Sequence, residues 1–301
     1  MRAFAWFMLL FAAALAAVAL FAYPAWLLLH PHFDFPFHRI GERLGMLALL
    51  VGFVLLARRL RLADRASLGY GLARRAFLRE LGVALGLGVA SMLGVVVLMA
   101  LLGLSEWAPG AGFGAPSLAR LVLRCALSAL AVALIEETFL RGAMYSAIER
   151  ESGVRTAVLL TALLYAATHF FGKVRIAAQD VSAYSGLALL GDSLQSFAHF
   201  GGIVDAFLAL FAVGVVLALV RAASGNIAAC LGLHAGWVWV MLVAHELRRP
   251  IPGAPLGFLL SRFDGFVGWL VLAWTLLLSV PLWHYYRRRA ARAPVSSAAA
   301  G

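Results

Sequence analysis

The chain has 301 residues, 63% hydrophobic and 13% charged, with a mean hydropathy of +0.93 and a net charge of +11. Roughly half of an average soluble domain is apolar, so this composition excludes one and describes a polytopic membrane protein. The positive charge does not make a nucleic-acid binder, because the basic residues lie between apolar runs rather than on a soluble face.

A helix needs about 20 apolar residues to cross roughly 30 Å of hydrocarbon, and eight segments qualify. All are read as helices, since an open strand edge cannot be satisfied in lipid and no alternation of period two is visible. The first, Phe4–Leu29, far exceeds the h-region of a signal peptide, about 7–15 residues, and is expected to be retained. Its outer loop holds His30, His32, Asp34 and His38 among aromatics, read as an interfacial loop in preference to a metal cluster. The second, Leu44–Leu60, leads into Arg58, Arg59, Arg61, Arg65, Arg74, Arg75 and Arg79. There, Leu62–Glu80 resembles a short surface helix at the lipid headgroups. The third, Leu81–Leu104, carries Gly82, Gly86 and Gly88, which signal close helix packing. The outer loop Ser105–Ser117 reads as an ordinary turn-former.

The fourth and fifth spans are Ala126–Ile148 and Thr156–Phe171. Between the fifth and sixth lies Gly172–Phe200, with Lys173, Arg175, Asp180 and Asp192, longer than a connector and equally a lid or a surface excursion. The sixth to eighth are Gly201–Val220, Ile227–Leu247 and Val267–Tyr285. Arg287, Arg288, Arg289 and Arg292 follow, then a small-residue tail, 293–301, expected to be disordered. Cys125 and Cys230 both sit in apolar runs, so neither a disulfide framework nor a cysteine zinc site is implied. The positive-inside rule places the arginine loop, the basic tail, Arg2, Arg141, Arg150, Arg155 and Arg221 on the cytoplasmic face, with both termini. The expected fold is therefore all-α, a transmembrane bundle of about eight spans. It divides into N-terminal helices with a basic loop (1–117), a core (118–247), and a last helix with a basic tail (248–301).

Charge inside the fourth span is informative. A central charge costs roughly 2.5–3.5 kcal/mol on insertion scales, so an intramembrane ionisable group is a functional candidate by default. Glu136 and Glu137 are adjacent and point about 100° apart, whereas Glu137 and Arg141 are four apart and share a face. Glu137 can pair with Arg141, which leaves Glu136 without a local cation, in surroundings suited to a general base. The alternative is a structural ion-pair cluster of all three. Tyr165 and His169 share a face of the fifth helix, and His234 lies within the seventh. By the rise per residue, Glu136 and His234 are near mid-membrane and His169 somewhat nearer the outer face.

This ordered set, Glu136-Glu137-x-x-x-Arg141, an aromatic-x-x-x-His ending at His169, and His234 preceded by Ser224-Gly225-Asn226, resembles the CPBP family of intramembrane proteases. That family includes the CAAX prenyl endopeptidases and the bacterial Abi or bacteriocin-processing proteins. The resemblance covers roughly residues 118–245. It implies that Glu136 activates a water for attack on a peptide carbonyl, that His169 and His234 bind or polarise the reacting groups, and that Glu137 and Arg141 hold the helix. Two positions depart from the family's pattern: Tyr165 stands where Phe is usual, and Val238 where Asn or a similar polar residue helps stabilise the oxyanion. Loss of one such donor typically costs about 10²–10³ in rate.

Two imidazoles and a carboxylate, His169, His234 and Glu136, match a catalytic set for zinc or another divalent metal with an open position for water. A metal-free arrangement with Glu136 as base fits the same residues. The expected activity is an intramembrane endopeptidase acting on a membrane-associated peptide or protein, with the lipid bilayer as its other partner and the oligomeric state open. The second reading, motivated by Val238, is a non-catalytic scaffold or immunity protein of the same fold. A transporter would show internal repeats, and none is seen. An Ala- and Arg-rich chain of this size resembles bacterial proteins, so the expected location is a bacterial-type inner membrane.

Overall fold

The computed structural model describes residues 1–60, 62, 64–108, 114–171 and 175–292. The tail at 293–301, Arg61 and Lys173 lie outside the described residues. In chain order the helices are α1 (Arg2–Leu29), α2 (Phe37–Arg59), α3 (Arg74–Leu101), α4 (Ala115–Glu137), α5 (Tyr145–Thr168), α6 (Ser185–Ala198), α7 (Val204–Ser224), α8 (Ala228–Leu247) and α9 (Trp269–Arg292). A π-helical segment, Thr138–Met144, joins α4 to α5 without a break. The strands β1 (Ser105–Trp107) and β2 (Arg248–Pro250) pair antiparallel.

Each of the eight apolar segments falls on a helix, and the architecture is a transmembrane helical bundle. Six helical runs among the described residues are long and apolar enough to cross a membrane: Arg2–Leu29, Phe37–Arg59, Arg74–Leu101, Pro116–Thr168, Val204–Ser224 and Ala228–Leu247. The fourth of these is 53 residues long and contains both the fourth and fifth expected spans. Gly153, at φ +82°, turns the chain between them. That left-handed backbone carries no steric penalty for glycine.

Helix α8 is the hub, packed against α3 on one side and α4 on another. Glycines make the α3 contact possible: a Cβ on Gly232 would lie 2.4 Å from the Leu81 carbonyl oxygen, and one on Gly88 2.6 Å from that of Leu233. In lipid, where burial of apolar surface gives little drive for association, such close backbone approach supplies the packing energy. Helix α7 fills the space between α5 and α9, and α1 lies against α2.

Three connections differ from expectation. Residues Asp64–Ala73 form a turn-rich loop rather than a surface helix, and α3 begins at Arg74. The loop is pinned to the core: Leu62 is fully buried, the Gly69 carbonyl accepts from the Ile227 amide at 3.0 Å, and Tyr70 and Thr138 share a hydroxyl hydrogen bond of 2.6 Å. The Ser105–Ser117 connection starts as a strand, because Arg248 donates from Nη2 to the Ser105 carbonyl at 2.6 Å and from Nε to its hydroxyl at 3.0 Å. The segment before α7 contains α6, which packs on α1 through Gly186 and through Leu189 against Val18, Ala22 and Phe37. It is a packed helix, neither a lid nor a free excursion.

Candidate functional site

Glu137 is completely buried and sits at the centre of the polar cluster. Its Oε1 accepts from Arg141 Nη1 at 2.9 Å and from His234 Nδ1 at 2.8 Å. Arg141, also completely buried, donates from Nη2 to the Gly214 carbonyl on α7 at 3.1 Å. His234 Nδ1 faces Glu137, and Nε2 is the nitrogen turned toward Glu136. His234 Nε2 lies 4.0 Å from Glu136 Oε2, beyond hydrogen-bond length. Glu136 Oε2 is buried without a hydrogen-bond partner, although a third of its side chain remains exposed. The paired glutamates are thus separated in role by geometry. One carboxylate is neutralised and the other meets an imidazole across a gap.

Tyr165 links this cluster to His169. Its ring centroid is 4.6 Å from that of His169 and 5.8 Å from that of His234, both edge to face. The Arg141 guanidinium stacks on its face at 4.7 Å. His169 ends α5 and donates its Nδ1 proton to the Tyr165 carbonyl at 2.7 Å. Residues from α4, α5 and α8, far apart in sequence, therefore meet in one place. Among the described residues no three His, Cys, Asp or Glu side chains are grouped as a metal-ligating set. Val238, one turn beyond His234 on α8 and half-buried, brings only methyl groups.

The arginine at the end of α7 was expected among the cytoplasmic charges, and so was Arg141. Both are buried. Arg221 donates from Nε to the Arg141 carbonyl at 3.0 Å and from Nη2 to the Ser146 hydroxyl at 3.2 Å, and it stacks on Tyr145 at 5.4 Å. It thereby braces the π-helical segment directly behind Glu136 and Glu137. π-turns have a register that leaves backbone groups without their α-helical partners and occur often at functional sites. Nothing in the sequence separates such an arginine from one that snorkels at a span end. The Ser224-Gly225-Asn226 turn that follows is held by its own bonds: Asn226 Nδ2 donates to the Ser224 carbonyl at 2.9 Å, and Asn226 Oδ1 accepts from the Ala228 amide at 2.9 Å.

With this geometry in place, comparison with known proteins is informative. Residues 118–240 match the family model described as Type II CAAX prenyl endopeptidase Rce1-like, which is that of the CPBP family. The matched segment runs from α4 to the middle of α8 and contains Glu136, Glu137, Arg141, Tyr165, His169 and His234. At the general level the match supports a membrane peptidase. No curated protein and no solved structure gave a match.

Proposed function

Since residues 118–240 match the Rce1-like CAAX endopeptidase family model, we propose that this protein is an intramembrane endopeptidase in which Glu136 is the general base. The observation that carries this reading is the buried, unpartnered Oε2 of Glu136 facing His234 Nε2 across 4.0 Å. A buried acceptor without a partner costs about 1–3 kcal/mol, which a bound water or substrate group removes. A water held between the two groups gives its proton to Glu136 as its oxygen attacks the scissile carbonyl carbon. The carbon–nitrogen bond then breaks, and Glu136 returns the proton to the leaving amine.

The other residues support that exchange. Glu137 keeps the Nδ1 proton of His234 engaged, fixing tautomer and ring orientation as a buried carboxylate does for a catalytic imidazole. Arg141 neutralises Glu137, so that the negative charge free to accept a proton is that of Glu136. His169, across the Tyr165 ring, is placed to polarise the peptide. The substrate is a membrane-associated peptide or protein reached through the bilayer, in an inner membrane of bacterial type. A non-catalytic scaffold is the second reading, favoured by Val238, which removes a polar group from the turn after His234.

The deciding experiment compares cleavage of candidate membrane peptides by purified wild type and Glu136→Gln. The substitution is near-isosteric and leaves the Glu137–Arg141 pair untouched, so a fall of at least about 10³ in kcat with unchanged folding is expected. Cleavage by both proteins at equal rates would sink the mechanism, and no cleavage by either would favour the scaffold.

A further inference from the structure

Tyr165 is 3% exposed, and its hydroxyl is not among the fully buried polar atoms that lack a partner, so the oxygen keeps some access to its surroundings. No hydrogen bond joins the Tyr165 hydroxyl to any described residue. Several neighbouring donors are committed elsewhere, although Arg141 Nε has no partner. On the turn before it, Thr161 donates to the Ala157 carbonyl at 2.7 Å, and on the turn after it, Thr168 donates to the Tyr165 carbonyl at 3.0 Å. Across the site, Trp237 Nε1 donates to the Ser91 hydroxyl at 2.8 Å. The terminal nitrogens of Arg141 are taken by Glu137 and Gly214.

The phenol is also rigid. Its face is covered by a guanidinium held at its two terminal nitrogens, and its ring meets both imidazoles edge to face. Its O–H, bonded to no described residue, is a donor available to a ligand. Meanwhile the α8 turn after His234 offers only the methyls of Val238.

We propose that Tyr165 is a further catalytic residue, whose hydroxyl donates to the oxyanion formed on the scissile carbonyl oxygen. The inference rests on the hydrolytic reading above. As the water oxygen bonds to the carbonyl carbon, the π pair moves onto the carbonyl oxygen, and the Tyr165 O–H binds that oxygen while keeping its proton. Collapse restores the carbonyl as the carbon–nitrogen bond breaks, and the proton held by Glu136 goes to the amine. The hydroxyl is needed only where negative charge develops, so its contribution belongs to kcat.

Tyr165→Phe removes one oxygen and leaves the ring, its stack and its packing in place. In a side-by-side measurement with wild type and Glu136→Gln, Tyr165→Phe is expected to lose about 10²-fold in kcat, with KM and the unfolding temperature unchanged. Wild-type cleavage that depends on Glu136 but is indifferent to Tyr165→Phe overturns the inference alone. So does a loss confined to KM or explained by a lowered unfolding temperature, because the phenol would then only pack. Cleavage indifferent to Glu136→Gln overturns the hydrolytic reading and this inference together.

Discussion

Adjacent positions on a helix face about 100° apart, and the site uses that angle to give two identical side chains different chemistry. Glu137 turns inward to Arg141 and His234, while Glu136 turns to the imidazole's other nitrogen and keeps a third of its surface open. Removing one partner of a buried pair strands the other charge, which costs about 3–5 kcal/mol, whereas an unpaired carboxylate has no such partner to strand. Glu137→Gln is therefore expected to lower the thermal unfolding temperature in detergent markedly and to reduce cleavage as well. Glu136→Gln is expected to unfold with wild type. Equal stability of the two variants would contradict the division of roles drawn here. The Glu137–Arg141 pair was legible in the sequence because a spacing of four on one helix is a local property. The bond from His234 to Glu137 was not, since it depends on α8 crossing α4 nearly a hundred positions later.

At the scale of the element, the decisive piece is the π-helical segment between α4 and α5. Its first residue, Thr138, is fixed by its own donation to the Leu134 carbonyl at 2.6 Å and by Tyr70, and its carbonyl at Arg141 is capped by Arg221. Gly142 lets the loop after α2 press against it: a Cβ there would lie 2.7 Å from the Leu68 carbonyl oxygen. Hydropathy located the long apolar helices, because span length and apolar content are averages over about 20 residues. It missed this segment, the β1–β2 ribbon, α6 and the packed loop, all of which are set by partners elsewhere in the chain. Gly142→Val tests the point. Forcing a side chain into that contact should destabilise by about 1–3 kcal/mol and displace Glu136, so activity falls further than stability alone accounts for. Gly82→Ala, on α3 with nothing within 4 Å of the added carbon, should leave both unchanged and serves as the control. Unaltered cleavage by Gly142→Val would mean that the register of the segment does not set the site.

At the scale of the molecule, polar bonds sort the connections into two ends. At one, Glu151 accepts from the Met1 ammonium and from the amides of Arg2 and Ala3, Arg150 donates to the Leu60 carbonyl at 3.3 Å, and Gly69 meets Ile227. At the other, Arg249 pairs with Glu106 at 2.6 Å, Arg124 with Glu246 at 2.9 Å, and the Ala108 amide donates to the Leu247 carbonyl at 2.9 Å. The arginines differ accordingly. At the second end Arg124, Arg248 and Arg249 are bonded to carboxylates or backbone, whereas Arg65, Arg74, Arg75 and Arg79 at the first have no ion pair among the described residues and are exposed. Unpaired exposed arginines are the ones that resist translocation and attract anionic lipid, so the first end is expected in the cytoplasm together with the amino terminus. Helix α1, 28 residues at about 1.5 Å per residue, then carries Phe33, 52% exposed, to the opposite side. Cysteine labelling reads this directly, because the native Cys125 and Cys230 are buried and give little background. A membrane-impermeant maleimide should label Phe33→Cys in intact cells, and Arg65→Cys only after permeabilisation. The reverse pattern would invert the molecule and put the arginine loop outside, against the charge rule that orients it.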